Sequence, residues 1–163
     1  SSSFTLDLRK WLQIMETYEG GGHAYHSTMP TDALTRLRDA MLETQALGFE
    51  HLRAQQQDLG RKVRLMLLSK GFRSVAAEDF QAPGVVVSYT DDAGLHSSKS
   101  FLAQGLQTAA GVPLQCDEPA DFKTFRIGLF GLDKLQHVER TVANLEQALT
   151  RIIGADSRVR AMA

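Results

Sequence analysis

The sequence predicts an α+β fold in which an antiparallel sheet is covered by helices. Two amphipathic helical patterns run in succession through residues 31–70. Two β-branched or alternating runs, Val85–Tyr89 and Thr124–Phe130, follow them, and a long helical stripe closes the chain. Helices and strands mix here without the regular strand–helix–strand alternation that builds a parallel sheet.

Each element has its own warrant. Between Phe4 and Tyr18, Leu8, Trp11, Leu12 and Met15 fall at helical spacing, and Gly20-Gly21-Gly22 ends the run because consecutive glycines lose too much backbone entropy in a helix. A polar passage, His23 to Pro30, reads as a loop, with Pro30 pushing Met29 into extended geometry. Thr31 or Asp32 is positioned to cap the next helix, whose apolar residues are Leu34, Leu37 and Met41 and whose break is Gly48. A further helix runs to about Lys70 on a stripe of Phe49, Leu52, Leu59, Val63 and Met66, with Gln56 as polar interruption and Gly71 at its end. Phe72–Ala76 reads as a short strand, Val85–Tyr89 as a strand bounded by Pro83-Gly84 and Asp91-Asp92, and Ser97–Leu106 as a helix. Thr124–Phe130 is a strand. The last helix, capped by Asp133, carries Leu135, Val138, Val142, Leu145, Leu149 and Ile152 on one face.

Composition bounds the function. At 163 residues, 43% hydrophobic and 23% charged, the chain has the length of one domain and enough apolar material for a core. A formal net charge of −1 offers no excess charge for nucleic acid or for an anionic membrane surface. Its single cysteine, Cys116, excludes an internal disulfide, and no zinc framework accompanies it, so a reducing, cytoplasmic setting is the expectation. No apolar run approaches the roughly 20 residues of a membrane span.

Two places carry candidate chemistry. In Phe125-Arg126-Ile127-Gly128-Leu129-Phe130-Gly131, alternation puts Phe125, Ile127 and Leu129 on one face and Arg126, Gly128 and Phe130 on the other. A guanidinium beside a missing side chain leaves a notch next to a planar fork that matches a carboxylate. The same pattern also suits an arginine on an edge strand that reaches water or a structural acid. Tyr25, His26, Ser27 and Thr28 place four hydrogen-bonding side chains just before a helix N-terminus, which suits a phosphate; it also suits helix capping by Thr28 and Thr31 with Tyr25 packed and tethered.

Other residues are less promising. His23 and His26 lack acidic or thiol companions for a metal, and Cys116 has acidic neighbours that keep a thiol protonated. Lys10, Lys62, Lys70, Lys99, Lys123 and Lys134 lie on polar faces or in polar surroundings, so none looks like a desolvated Schiff-base lysine.

Together, Ala24-Tyr25-His26-Ser27-Thr28-Met29-Pro30 and, about a hundred residues on, Phe125 to Gly131 resemble the C-terminal part of class V pyridoxal-phosphate aminotransferases, in particular the alanine–glyoxylate and serine–pyruvate group. The likeness runs along essentially the whole chain. It implies the small domain of a fold-type I pyridoxal-phosphate transferase, with residues 1–30 as the end of the large domain and 31–163 as the small domain. It further implies that Tyr25 and Thr28 contact the cofactor phosphate of a partner subunit in a homodimer, and that Arg126 binds the substrate carboxylate. Ser27 stands where some relatives have histidine, and no role carries over to it.

The resemblance also implies that the Schiff-base lysine and the other ring-binding residues lie upstream in a large domain that is absent here. No catalytic residue or metal ligand is then expected within these 163 residues, and the chain alone is expected to be inactive. The implied whole enzyme moves an amino group between an amino acid and a 2-oxo acid, of the alanine or serine to glyoxylate or pyruvate type. Two alternatives are a cysteine desulfurase-like lyase using Cys116 and a free-standing, non-catalytic domain.

Overall fold

The computed structural model describes residues 6–28 and 30–161, with side chains through residue 154. The expected helix start at Phe4 and the extended geometry at Met29 lie outside the described residues. The chain divides into two compact units, Ser1–Glu43 and Thr44–Ala163.

The first unit holds α1 (Leu8–Glu19) and most of α2 (Thr31–Leu47), within which the boundary falls. Asp7 caps α1, its carboxylate accepting from the Lys10 N–H at 3.1 Å. Gly21, at φ +79°, takes the left-handed turn after the helix. Neither Thr31 nor Asp32 caps α2: both already lie in its first turn, where the Asp32 charge complements the helix dipole. The expected apolar stripes do not become core. Leu8 is 78% exposed, Leu12, Met15, Leu34, Leu37 and Met41 are also exposed, and in α1 only Ile14 is buried.

The second unit is a helix-covered sheet. After Gly48, at φ +87°, α3 (Phe49–Ser69) buries Leu52, Leu59, Val63, Met66 and Leu67, while Phe49 is exposed despite its place in the periodic stripe. A 3₁₀ turn at Glu78–Phe80 leads to β1 (Val85–Tyr89). Of the helix predicted over Ser97–Leu106 the structure forms only α5 (Lys99–Leu102); a separate short helix, α4 (Ala93–His96), precedes it, and Ser98 at φ 60° stands between the two. Next come β2 (Ala109–Ala110) and β3 (Thr124–Gly128), which stops two residues short of the expected Phe130. The single closing helix is two, α6 (Leu132–Gln136) and α7 (Val138–Ala161), divided by the non-helical backbone of His137. The residue before α6 is Gly131, at φ 114°, so Asp133 sits inside the helix rather than capping it.

The sheet is antiparallel in the order β1-β3-β2. The segment expected as a strand at Phe72–Ala76 pairs with β1 through a single bridge, Ser74 to Ser88, with Val75 N–H donating to Val87 O and Tyr89 N–H to Arg73 O. In register, Val86 lies opposite Ile127 and Ser88 opposite Phe125, so these four share the covered face. Phe125, Ile127 and Leu129 are buried there among Leu59, Val63 and Leu67 of α3 and Leu145, Leu149 and Ile152 of α7. Each such side chain contributes about 1.5–3 kcal/mol when removed from water. At the rim of α3, Lys62 pairs with Asp58 on the same helix and Glu139 of α7, and Lys70 with Glu146 and Thr150.

Candidate functional site

Strand β3 and the two residues after it do what their alternation predicts: Phe125, Ile127 and Leu129 are buried and Arg126, Gly128 and Phe130 turn outward, with Phe130 63% exposed. It is the central strand, not an edge. Val87 of β1 and Ala109 of β2 lie opposite Arg126, and Val85 lies opposite Gly128. A side chain at Gly128 would meet only the Phe130 ring, at 4.0 Å, so the notch beside the arginine is open.

The guanidinium is tethered at one point. Its Nε–H donates to the Ala110 carbonyl at 2.9 Å, and Nη1 and Nη2 have no partner among the described residues. A structural carboxylate, the competing use for this arginine, is therefore not what holds it. What remains is a half-exposed planar cation with two donors free to take both oxygens of a carboxylate. A hollow of about 440 Å³ elsewhere in this unit, bordered by Lys70, Arg73, Tyr89 and Asp92, does not include Arg126.

In the first unit, Tyr25 is 75% exposed and Thr28 is exposed, and neither hydroxyl has a partner among the described residues. Tyr25 is thus neither packed nor tethered. The loop is braced through its histidines: the His26 ring meets Trp11 edge-on with centroids 5.2 Å apart, and His23 Nδ1 lies 2.9 Å from the Tyr18 hydroxyl. Thr28 also borders an apolar hollow with Trp11, Met15 and Leu34. Two outward neutral hydroxyls fit a cofactor phosphate as donors. They bring no positive charge to it, and Asp32 in the first turn of α2 opposes an anion at that helix end.

Cys116 is exposed, and its thiol is pushed up by partial desolvation and then by the neighbouring Glu118 carboxylate. Glu118 accepts from the backbone N–H groups of Leu114, Gln115 and Cys116, and these bonds hold its pKa down at about 2. The anion beside the thiol is therefore permanent at neutral pH. Among the lysines, Lys62 is raised by its bond to Asp58, the opposite of what a desolvated Schiff-base lysine needs. No group of three metal-ligating side chains occurs among the described residues. Nor is any helix among them long and apolar enough to cross a membrane.

The partner that holds Arg126, the Ala110 carbonyl, was not legible in the sequence, nor was the close passage beside it, where Gly111 N–H donates to the His96 carbonyl and the His96 ring meets the Thr124 carbonyl. Only the glycine at 111 hinted that backbones pass closely there.

The architecture is the α+β small-domain fold of aminotransferases, as the sequence resemblance implied. Among solved structures it is similar to an alanine–glyoxylate aminotransferase from Nostoc sp., with a TM-score of 0.64 and 18% identity over 85% of this chain and 36% of that one. It is similar also to a ureidoglycine–glyoxylate aminotransferase from Bacillus subtilis, with a TM-score of 0.64 and 22% identity over 92% of this chain and 38% of that one. The chain thus spans little more than a third of the length of these enzymes. No family model matches it, and no curated protein matches it by sequence.

Proposed function

We propose that this chain is the carboxylate-binding part of a pyridoxal-phosphate-dependent aminotransferase that moves an amino group between an amino acid and a 2-oxo acid. The reading rests above all on Arg126, held at Nε by Ala110 beside the open position of Gly128, with neither terminal nitrogen partnered among the described residues. Both named neighbours are glyoxylate aminotransferases and one takes alanine, which supports glyoxylate as acceptor and alanine as donor; serine as donor and pyruvate as 2-oxo acid rest on the sequence resemblance alone.

Residues 1–30 then belong to the end of a large domain and 31–163 to the small domain of a cytoplasmic homodimer. The cofactor, when bound, supplies the electron sink for the amino transfer. Tyr25 and Thr28 donate hydrogen bonds to its phosphate across the subunit interface. Arg126 takes the substrate carboxylate in a bidentate, charge-assisted pair and fixes the orientation in which the acid reacts. The lysine that binds the cofactor lies outside this chain, so the 163 residues alone are inactive. A thiol nucleophile is disfavoured because partial desolvation and then the neighbouring Glu118 carboxylate push the Cys116 thiol up.

The test is Arg126→Lys in the intact enzyme. A point charge cannot replace the planar fork, so KM for glyoxylate is expected to rise by about one to two orders of magnitude. An unchanged KM removes Arg126 from the site.

A further inference from the structure

Arg126 is useful to a substrate only if its guanidinium is held still, and the structure shows what holds it. The Ala110 carbonyl that accepts from Arg126 Nε belongs to β2, a strand of only two residues. So short a strand has little pairing of its own, and its position depends on the residue that follows. Gly111 N–H donates to the His96 carbonyl at 2.8 Å, and the His96 ring lies with Nδ1 2.8 Å from the Thr124 carbonyl at the start of β3. A Cβ at Gly111 would fall 2.0 Å from that same Thr124 oxygen and 2.5 Å from His96 Nδ1. Neither neighbour can give way cheaply: one is backbone of the central strand and the other is a ring bonded to it.

We propose that Gly111 and His96 are positioning residues for carboxylate recognition, seating the Ala110 carbonyl against Arg126 Nε so that Nη1 and Nη2 are presented together. The proposal rests on the reading of Arg126 as the carboxylate ligand. His96 is in turn set by α4, whose first turn is capped by the Asp92 carboxylate accepting from Leu95 N–H at 2.5 Å. Thus the α4 end, the close passage at Gly111 and the arginine form one mechanical chain. With the tether released, the guanidinium keeps its charge but samples many orientations, and the second of its two parallel bonds to a carboxylate is lost for much of the time.

The test is a double-mutant cycle in the intact protein, read by calorimetric titration with glyoxylate and by steady-state KM and kcat. Arg126→Ala is expected to weaken glyoxylate binding at least tenfold. Gly111→Ala is expected to weaken it about fivefold to tenfold, the worth of one net hydrogen bond, and to raise KM by the same factor with kcat within about twofold. In the Arg126→Ala background, Gly111→Ala is expected to add nothing, because the group it positions is gone. Should Gly111→Ala not accumulate as folded protein, His96→Ala removes the ring contact without adding volume and is expected to give a smaller rise, about threefold, that also vanishes without Arg126. Binding unchanged in both positioning variants, or weakened equally with and without Arg126, overturns the proposal. Binding unchanged in Arg126→Ala itself overturns the reading beneath it, a result the other arms cannot mimic.

Discussion

Gly60 lies in the middle of α3, where exchanging glycine for alanine ordinarily stabilises a helix by about 1 kcal/mol. Here we expect the opposite sign. A Cβ at Gly60 would sit 2.6 Å from the Pro83 carbonyl oxygen, 3.0 Å from its Cα and 3.2 Å from its carbonyl carbon. Restoring ordinary contact at 3.4 Å means parting helix and loop by about 0.8 Å. That loop is bonded to the same helix face on either side of the glycine. Gln56 Nε2 donates to Pro83 O at 3.0 Å, and Arg64 Nη2 donates to Ala82 O at 2.5 Å and Val85 O at 3.0 Å. Overpacking costs about 1–3 kcal/mol and each weakened hydrogen bond about 1 kcal/mol. Against the helix gain, the net loss is about 1–3 kcal/mol. In urea, with a slope near 2 kcal/mol per molar, Gly60→Ala should lower the unfolding midpoint by roughly 0.5–1.5 M. Gly154 in α7 is the control: nothing lies within 4 Å of its Cβ position, so Gly154→Ala should raise the midpoint. A Gly60→Ala midpoint equal to or above that of the parent chain refutes the argument from close approach.

Other expectations follow from the same geometry. Leu149 is fully buried between α7 and the sheet, so Leu149→Ala should cost about 2–5 kcal/mol in chemical denaturation; a loss under 1 kcal/mol would mean the core is not packed as described. Ser98 is held at φ 60°, and Ser98→Gly should leave stability unchanged or raise it by up to about 1 kcal/mol, whereas a clear loss would show that the serine side chain matters more than its backbone strain. The Glu118 carboxyl, depressed to about 2 from an ordinary value of about 4.3, stabilises the 114–118 loop fully above the ordinary value; that contribution fades as pH falls toward 2. Carboxyl NMR should therefore show Glu118 titrating well below the other glutamates, and a midpoint near 4 would contradict the three backbone bonds.

The elements and their inward faces were legible in sequence wherever local chemistry decides. Val85–Tyr89 and the Phe125, Ile127, Leu129 alternation became strands because period two fits a sheet covered on one side. Gly48 and Gly71, both at φ +87°, end helices where glycine alone avoids the left-handed penalty. Both candidate sites were also readable, since hydroxyls and an arginine beside a glycine announce their donors. Tertiary structure decided the rest. Periodicity could not tell that Leu34, Leu37 and Met41 stay exposed while Leu59, Val63 and Leu149 become core, because a stripe records an apolar face and not what covers it. Nor could it show that the closing helix breaks at His137, within an otherwise continuous helical pattern. The hold on Arg126 is the clearest instance: Ala110, Gly111, His96 and Thr124 are scattered over 29 residues and meet only when β2 is laid against β3, so the arginine was visible in the sequence and its orientation was not.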